Sequence, residues 1–261
     1  SPQFAEFQRV FAPPAGKQWR AGDRLVQPDL GRTLETIAEG GPAAFYRGPI
    51  ADQLVAEMQA GGGLITKEDL AAYRARLREP IHGTYRGYEV FAPPPPSSGG
   101  ICLVEMLNIL ECSQLRQDPA TSGRHVSTSQ WSPRTMHYVI EAMRRAFYDR
   151  ARYLGDPDFI RIPPHLTSKE YAKKLAAKIE PDKATRSDRL GPEIPLVDES
   201  KDTTHFSVID QHGMAVANTY TLENSYGCRV VVRGAGFLLN NEMTDFNRIP
   251  GRTDRKGAIG T

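Results

Sequence analysis

Two short runs of β-branched and aromatic residues, 206–208 and 215–220, flank the tetrapeptide Asp210-Gln211-His212-Gly213. Such runs favour extended backbone, and a short polar segment with a glycine is typical of a tight turn, so the sequence predicts a β-hairpin. Thr203 then opens the first strand and Thr221 closes the second. Because the open ends of an antiparallel pair are neighbours, we expect the Thr221 hydroxyl to reach the amine or hydroxyl of Thr203.

Two threonines at the open end of a hairpin have a structural and a chemical interpretation. Threonine is β-branched and common in strands, so the Thr203-Thr204 pair can be purely structural. A threonine hydroxyl is also a weak nucleophile that needs a base, and a chain cut just before Thr203 would supply one. That base is the new α-amine, with a pKa of about 8. The hairpin pattern by itself leaves both interpretations open.

Several longer motifs lie in order along the chain. The N-terminal part contains GGGLITKEDLAAY at 61–73, YRGY at 85–88, PPPSSGG at 94–100 and YLGDPDF at 153–159. The C-terminal part contains DTTHFSV at 202–208, TLE at 221–223 and NNEMTDF at 240–246. From Asp29 to Asp245 the sequence resembles the γ-glutamyltransferase family (γ-glutamyltranspeptidase, glutathione hydrolase).

The resemblance implies an α/β (α+β) fold of the N-terminal-nucleophile hydrolase type, a four-layer αββα sandwich that this chain covers incompletely at both ends. Residues 1–202 would form the C-terminal part of a large-subunit region ending in a linker, and residues 203–261 the N-terminal part of a small-subunit region. In the family, the two subunits form a heterodimer from one precursor. The family's nucleophile falls on Thr203, its supporting threonine on Thr221, and autocatalytic cleavage on the Asp202-Thr203 bond.

Three acidic residues after the hairpin are candidates for substrate binding. A γ-glutamyl donor such as glutathione has a free α-ammonium that carboxylates can hold. By the resemblance Asp245 contacts this ammonium, whereas Glu223 and Glu242 occupy positions that often carry amide side chains in the family. Two added carboxylates would strengthen capture of the cation when ionised, but neighbouring like charges also raise one another's pKa. Alternatively, acids near a strand end form a solvated rim.

The implied mechanism is covalent. Thr203 attacks the γ-glutamyl carbonyl, its α-amine relays the proton, and water or an amino acid or peptide acceptor resolves the acyl-enzyme. The family's carboxylate-binding arginine, its serine pair and its oxyanion-hole glycines fall outside residues 1–261, so we expect this segment alone to be inactive or nearly so. The resemblance also implies a periplasmic or extracellular location, although the chain carries no targeting signal.

Two alternatives to this function remain open. A related acylase acting on β-lactam side chains, or a poly-γ-glutamate hydrolase, would share every catalytic residue. A truncated or uncleaved fragment would instead be non-catalytic and would only bind γ-glutamyl compounds or its complementary chain.

Composition argues against several other classes of protein. The 33 basic and 31 acidic residues are interspersed and give a formal net charge of +2, which does not indicate a nucleic-acid-binding surface. The sequence contains neither a P-loop nor a dinucleotide-binding glycine pattern, and no apolar run approaches the roughly 20 residues of a membrane-spanning helix. The histidines and cysteines lack ligand spacing, so we predict no metal and no cofactor. We assign His205 no catalytic role.

Apolar periodicity predicts six amphipathic helices, and two signals mark their boundaries. Thr66 and Asp69 form a capping box, and Ser97-Ser98-Gly99-Gly100 opens a longer helix, either to bind an anion or to allow close packing. Alternation predicts one strand from Tyr85 to Phe91, ended by prolines. Polar composition predicts a loop at 113–132 and a linker at 181–202. The helices are predicted around residues 30–38, 50–58, 70–73, 103–110, 136–147 and 171–179.

Overall fold

The computed structural model describes residues 4–113, 132–190 and 203–245, apart from the side chains of Asp188, Thr244 and Asp245. The chain divides into two compact units. Unit 1 comprises Ser1–Arg76 with Ser200–Met243, and unit 2 comprises Leu77–Glu199 with Thr244–Thr261. Most of the predicted loop at 113–132, residues 191–202 of the predicted linker, and Asp202 of the predicted cleavage site lie outside the described residues.

Among the described residues helices predominate in both units, and each unit shows one antiparallel hairpin there. All six predicted helices are present, although the last ends at Ala176, before the predicted Ile179. In chain order the elements are α1 (Ala5–Phe11), α2 (Pro28–Tyr46), α3 (Pro49–Gly61), α4 (Lys67–Ala72), β1 (Ile81–Tyr85), β2 (Tyr88–Ala92), α5 (Gly99–Glu111), α6 (Pro133–Tyr153), a 3₁₀ turn (Pro164–Thr167), α7 (Lys169–Ala176), α8 (Ser187–Leu190), β3 (Thr204–Ile209), β4 (Ala215–Tyr220) and a 3₁₀ turn (Glu242–Asp245).

The core of unit 1 joins two distant parts of the sequence. Leu54 of α3 and Leu70 of α4 pack with Val232 and Ala235, which follow the hairpin by more than ten residues. The predicted capping box is confirmed, because the Asp69 N–H donates to Thr66 Oγ1 at 3.2 Å and the Thr66 N–H donates to Asp69 Oδ2 at 2.9 Å. This cap satisfies two N–H groups that the start of α4 would otherwise leave without a partner.

The hairpin β3–β4 confirms the strand prediction around residues 206–220. Its register pairs Thr204 with Tyr220 at the open end and Ile209 with Ala215 at the turn. Asp210 Oδ1 accepts hydrogen bonds from the N–H groups of His212 at 2.9 Å and Met214 at 2.8 Å, which stabilises the turn.

In unit 2 the prediction of one strand from Tyr85 to Phe91 is wrong. The chain reverses at Arg86 and Gly87, so that β1 and β2 pair in antiparallel register from Tyr85 with Tyr88 to Ile81 with Ala92. Both turn residues have positive φ, 52° and 86°, as two-residue hairpin turns require. Arginine rarely adopts this conformation, so its side chain did not signal the turn in the sequence.

The glycines before α5 have a packing role. A Cβ placed on Gly100 would lie 2.1 Å from the carbonyl oxygen of Pro93, at the end of the β1–β2 hairpin. Only glycine allows the helix to begin this close to the strand. This contact favours the packing interpretation of the Ser97–Gly100 segment over anion binding.

A buried carboxylate on α6 anchors residues that the sequence places in a linker. Glu141 is 1% exposed and accepts hydrogen bonds from Thr185 N at 3.0 Å and Thr185 Oγ1 at 2.6 Å. Arg144 and the buried Arg145 complete its ion pairs. Burial by itself raises the pKa of Glu141, but the hydrogen bonds from Thr185 and Arg145 outweigh it and hold the pKa below its usual value. The stretch that leads into α8 is therefore held against α6, while the linker stays a prediction.

Replacing Glu141 with alanine tests this anchor. The Glu141→Ala variant leaves Arg145 buried without its carboxylate, so we expect the free energy of unfolding to fall by about 3–5 kcal/mol. Glu170→Ala, which removes an exposed carboxylate from α7, serves as the control and should change stability by less than about 0.5 kcal/mol. Urea denaturation followed by circular dichroism measures both, and equal effects would contradict the assigned role.

A second buried acidic group lies between α5 and α6. Glu105 and Asp149 are 1% and 3% exposed, and the two carboxyl groups are hydrogen-bonded to one another. Tyr171 of α7 donates its hydroxyl to Asp149 Oδ2 at 2.7 Å. Burial, together with the neighbouring Asp149, raises the pKa of Glu105 to about 9. Because two carboxylates cannot donate to each other, the pair holds one proton, on Glu105.

This shared proton predicts a dependence of stability on pH. The folded-state pKa of Glu105 is about 9, above its ordinary value of 4.5. The free energy of unfolding therefore falls as pH rises from the ordinary value towards the folded-state value. Because of the proton on Glu105, we expect the unfolding equilibrium constant to rise by up to about tenfold for each pH unit in this range. Glu105→Gln should flatten the profile measured by urea denaturation, whereas the exposed Glu170→Gln should leave it unchanged. An unaltered slope in Glu105→Gln would contradict the assignment.

Candidate active site

The register of β3–β4 brings the two candidate threonines together. Thr204 and Tyr220 form the last pair of the ladder, so Thr203 and Thr221 are the next residues on each side. Both line the same cavity. Thr203 is exposed and Thr221 is half-buried. This is the neighbourhood that the strand pattern predicts, while the catalytic roles of the two residues stay predictions.

A tight turn after β4 orients the Thr221 side chain. The N–H of Glu223 donates to Thr221 Oγ1 at 2.9 Å, and Glu223 itself has a φ of 71°. The turn then closes with a bond of 2.7 Å from the Gly227 N–H to the Asn224 carbonyl. The Glu223 amide occupies an acceptor site on the Thr221 oxygen, and this restricts the orientation of the Thr221 hydroxyl.

The segment that follows returns to the same turn. The Asn241 N–H donates to the carbonyl of Leu222 at 3.1 Å, and the Asn241 side chain accepts from the Asn224 N–H at 3.2 Å. These bonds bring the neighbourhood of Glu242 close to that of Glu223, nineteen positions earlier in the chain. Both glutamates are half-buried. Asp245 ends the adjoining 3₁₀ turn, and its side chain is outside the described part of the structure.

A cavity of about 590 Å³ adjoins the two threonines. One group of lining residues is polar and comprises Gln27, Thr203, Thr204, Thr221, Asn224 and Ser225. The other is apolar or aromatic and comprises Phe11, Leu30, Tyr220, Leu222, Phe237 and Leu238. Gly236 completes the described lining, in which no residue carries a charge.

The far wall of this cavity is held by α2. The buried Thr33 hydroxyl donates to the carbonyl oxygen of Ala235 at 2.8 Å. Gly236, with a φ of 76°, approaches so closely that a Cβ would lie 2.6 Å from the Leu30 nitrogen. A larger residue at Gly236 would separate the 235–238 segment from the start of α2.

An aromatic cluster fixes the position of Phe11 in the cavity wall. The Phe7 and Phe11 rings of α1 lie 5.0 Å apart, and Tyr226 meets them at 5.2 Å and 5.3 Å in edge-to-face contacts. Tyr226 belongs to the turn after β4, so these contacts join α1 to that turn. Sequence reasoning missed this wall, because no local pattern links residues more than 200 positions apart.

His205 has hydrogen-bond partners within its own hairpin. Its Nδ1 lies 2.6 Å from Thr219 Oγ1 and its Nε2 lies 3.1 Å from Ser207 Oγ. Both ring nitrogens are therefore engaged by neighbouring hydroxyls, and the absence of a catalytic role for His205 stays a prediction.

Comparison with known proteins decides the family. The family model for gamma-glutamyltranspeptidase matches residues 1–259. This chain belongs to the γ-glutamyltranspeptidase family. It is 47% identical to the glutathione hydrolase proenzyme of Escherichia coli (strain K12) over 94% of this chain and 41% of that protein. It is also 42% identical to the Acylase ACY 1 proenzyme of Pseudomonas sp. (strain SE83), over 92% of this chain and 40% of that protein.

Solved structures of the family confirm the predicted fold class. The γ-glutamyltranspeptidase of Helicobacter pylori is 38% identical, with a TM-score of 0.63 over 70% of this chain and 50% of that one. The γ-glutamyltranspeptidase from Pseudomonas nitroreducens, solved in complex with L-DON, is 37% identical. Its TM-score is 0.59, and the match covers 66% of this chain and 49% of that one. The chain is thus a mixed α/β member of the N-terminal-nucleophile hydrolases. It spans about two fifths of the length of the curated relatives it matches.

The described residues contain neither a metal site nor a membrane-spanning helix. Within residues 4–113, 132–190 and 203–245, no three histidine, cysteine or acidic side chains are grouped so that they could hold a metal ion. No helix in those ranges has the length and apolar character needed to cross a membrane.

The turn beside Thr221 depends on a glycine, and this can be tested. Gly227 has a φ of 52°, and a Cβ there would lie 2.0 Å from the Leu239 carbonyl oxygen. Gly213 has a φ of 86° but open space around it, so Gly213→Ala should lose only about 1–2 kcal/mol of stability. Gly227→Ala should lose about 1–3 kcal/mol more because of the clash. Equal midpoints of urea denaturation for the two variants would contradict this account.

Proposed function

We propose that the full-length protein is an autoprocessed N-terminal threonine hydrolase and transferase that cleaves γ-glutamyl amides such as glutathione. The observation that carries this proposal is that Thr203 and Thr221 both follow the last pair of β3–β4 at its open end and line one cavity, in a chain of the γ-glutamyltranspeptidase family. The proenzyme names of its relatives support processing into two subunits. Residues up to Asp202 would then belong to the large subunit and those from Thr203 to the small one.

The chemistry begins with cleavage of the Asp202-Thr203 bond. This frees the α-amine of Thr203, which accepts the hydroxyl proton as the oxygen attacks the γ-glutamyl carbonyl. The amine then delivers the proton to the departing nitrogen, and an ester remains on Thr203. Water resolves the ester by hydrolysis, or an amino acid or peptide amine resolves it by transfer.

Thr221 acts in this scheme by orienting Thr203. Its oxygen accepts a hydrogen bond from the Glu223 N–H at 2.9 Å, and this bond restricts the orientation of the hydroxyl. The position of Thr221 beside Thr203 in the register makes the amine or hydroxyl of Thr203 the natural acceptor. This arrangement would align the nucleophile without a second base.

The donor's α-ammonium would be held by Glu223, Glu242 and Asp245. Backbone bonds between Asn241 and Leu222 bring the segments that carry the first two acids together. Two half-buried carboxylates close to one another repel, so binding a cation such as the α-ammonium would stabilise Glu223 and Glu242. A periplasmic or extracellular location, as the family resemblance implies, would suit extracellular glutathione as the donor.

An acylase acting on β-lactam side chains is the second candidate function. The 42% identity to the Acylase ACY 1 proenzyme supports this candidate. Thr203 would be the nucleophile in both reactions. The ratio of kcat/KM for glutathione to that for a glutaryl amide separates the two. A glutaryl group lacks the α-ammonium, so a site that relies on the three acids should prefer glutathione strongly.

Thr203→Ala tests the proposed nucleophile in the full-length protein. We expect a single uncleaved chain by intact-mass measurement, and hydrolysis of γ-glutamyl-p-nitroanilide reduced by at least about a thousandfold. Thr203→Ser should retain cleavage and part of the activity. Thr219→Ala, an exposed strand threonine that does not line the cavity, should behave as wild type. Normal cleavage and turnover in Thr203→Ala would refute the proposal, and N-terminal sequencing of wild type should find Thr203.

A further inference from the structure

Unit 2 contains a cavity of about 430 Å³ that has no part in the proposed reaction. It lies where α5 ends, α6 begins and α7 ends. The volume is within the roughly 300–1,000 Å³ that is typical of small-molecule sites. The lining residues that matter for its chemistry are Cys112, Arg134, Tyr138, Lys173, Ala177 and Pro181.

Two cations of this cavity lack a carboxylate partner. Within the described part of the chain neither Arg134 nor Lys173 forms an ion pair, and Glu111, which precedes Cys112, is already paired with Lys169 at 2.5 Å. The adjoining residues 114–131 contain two arginines and one aspartate, so their net charge is also positive. Unpaired cations that share one cavity attract an anion and repel a cation.

The start of α6 adds to the positive potential at Arg134. This arginine is the second residue of the helix, and the first turn contains no acidic side chain. The helix dipole places partial positive charge at this end, which stabilises acids there and disfavours a cation. A bound anion would therefore offset both the arginine and the helix terminus.

The remaining wall of the cavity suits a flat apolar group. Tyr138 is half-buried and packs against the core that contains Ile109 and Ala142, so its ring is held in place without a ligand. The Arg134 guanidinium lies 6.0 Å from the centre of this ring. Ala177 and Pro181 add small apolar surfaces. A planar ligand can thus stack on the tyrosine while its charge stays near the arginine.

We propose that this cavity binds a small aromatic carboxylate, with the carboxylate at Arg134 and Lys173 and the ring against Tyr138. An inorganic anion would use the two cations but leave the apolar wall in contact with water, so the wall favours the aromatic ligand. None of these residues has a role in the proposed reaction, and the inference therefore does not depend on it.

Cys112 serves as a reporter of occupancy in the full-length protein. Its thiol is exposed and lines the cavity, so a bound ligand should shield it from iodoacetamide. With benzoate as the probe, at constant ionic strength, we expect half-maximal protection at roughly 1–10 mM, as for a ligand of this size. Ten times that concentration should slow alkylation about tenfold, because only the empty fraction reacts. Peptide mass spectrometry measures the rate, and slowing of less than about twofold there would overturn the inference.

Two controls show whether the protection is specific. Benzamide has the shape of benzoate without its charge, so it should give little protection, and equal protection by both would overturn the selection of an anion. Cys228 belongs to unit 1 and does not line this cavity, so benzoate should not slow its alkylation. Equal slowing at Cys112 and Cys228 would mean that benzoate acts on the whole protein, and this too would overturn the inference.

Variants assign the binding to the two cations. Arg134→Gln and Lys173→Gln should each raise the benzoate concentration for half-maximal protection by roughly threefold to tenfold. Both side chains are exposed, so neither change should impair folding. Lys174→Gln removes the exposed neighbour on α7, which does not line the cavity, and should behave as wild type. Wild-type protection in both Arg134→Gln and Lys173→Gln would overturn the assignment.

Discussion

The antiparallel register of β3–β4 is the constraint on which the rest of the site depends. Pairing Thr204 with Tyr220 leaves Thr203 and Thr221 as neighbours at the open end. A slip of one residue would turn every side chain of one strand to the other face, and the two threonines would separate. The Asp210 side chain protects against such a slip, because its two hydrogen bonds stabilise a single turn geometry.

Around this pair the structure separates two kinds of chemistry. Backbone hydrogen bonds between the turn after β4 and the segment at 240–242 bring acidic residues together from distant positions. The cavity on which Thr203 and Thr221 lie has hydroxyls and amides on one wall and apolar rings on the other, and no charge among its described lining residues. Unit 2 uses buried acids differently, since Glu141 is paired with arginine and Glu105 holds a proton.

Prediction succeeded where local forces decide the structure. Helix periodicity, the Thr66–Asp69 capping box and the β3–β4 turn all depend on residues within a few positions, and all are confirmed. The features that the sequence did not show have non-local or atypical causes. Arg86 takes a positive φ that its side chain does not signal, and Thr185 is ordered by Glu141, which lies 44 positions earlier in a different element.

The sequence by itself determined the family, the fold class and the adjacency of Thr203 and Thr221, because motifs and strand alternation are properties of neighbouring residues. Only the tertiary structure decided what surrounds that pair. Phe11, Leu30 and Phe237 carry no sequence signal that they line a cavity, since each is an ordinary apolar residue of its own segment. They become a wall because α1, α2 and the 235–238 segment pack together through the Thr33–Ala235 hydrogen bond and the Phe11–Tyr226 contact. Such contacts join residues roughly two hundred positions apart, and burial of the chain as a whole, not local preference, selects them.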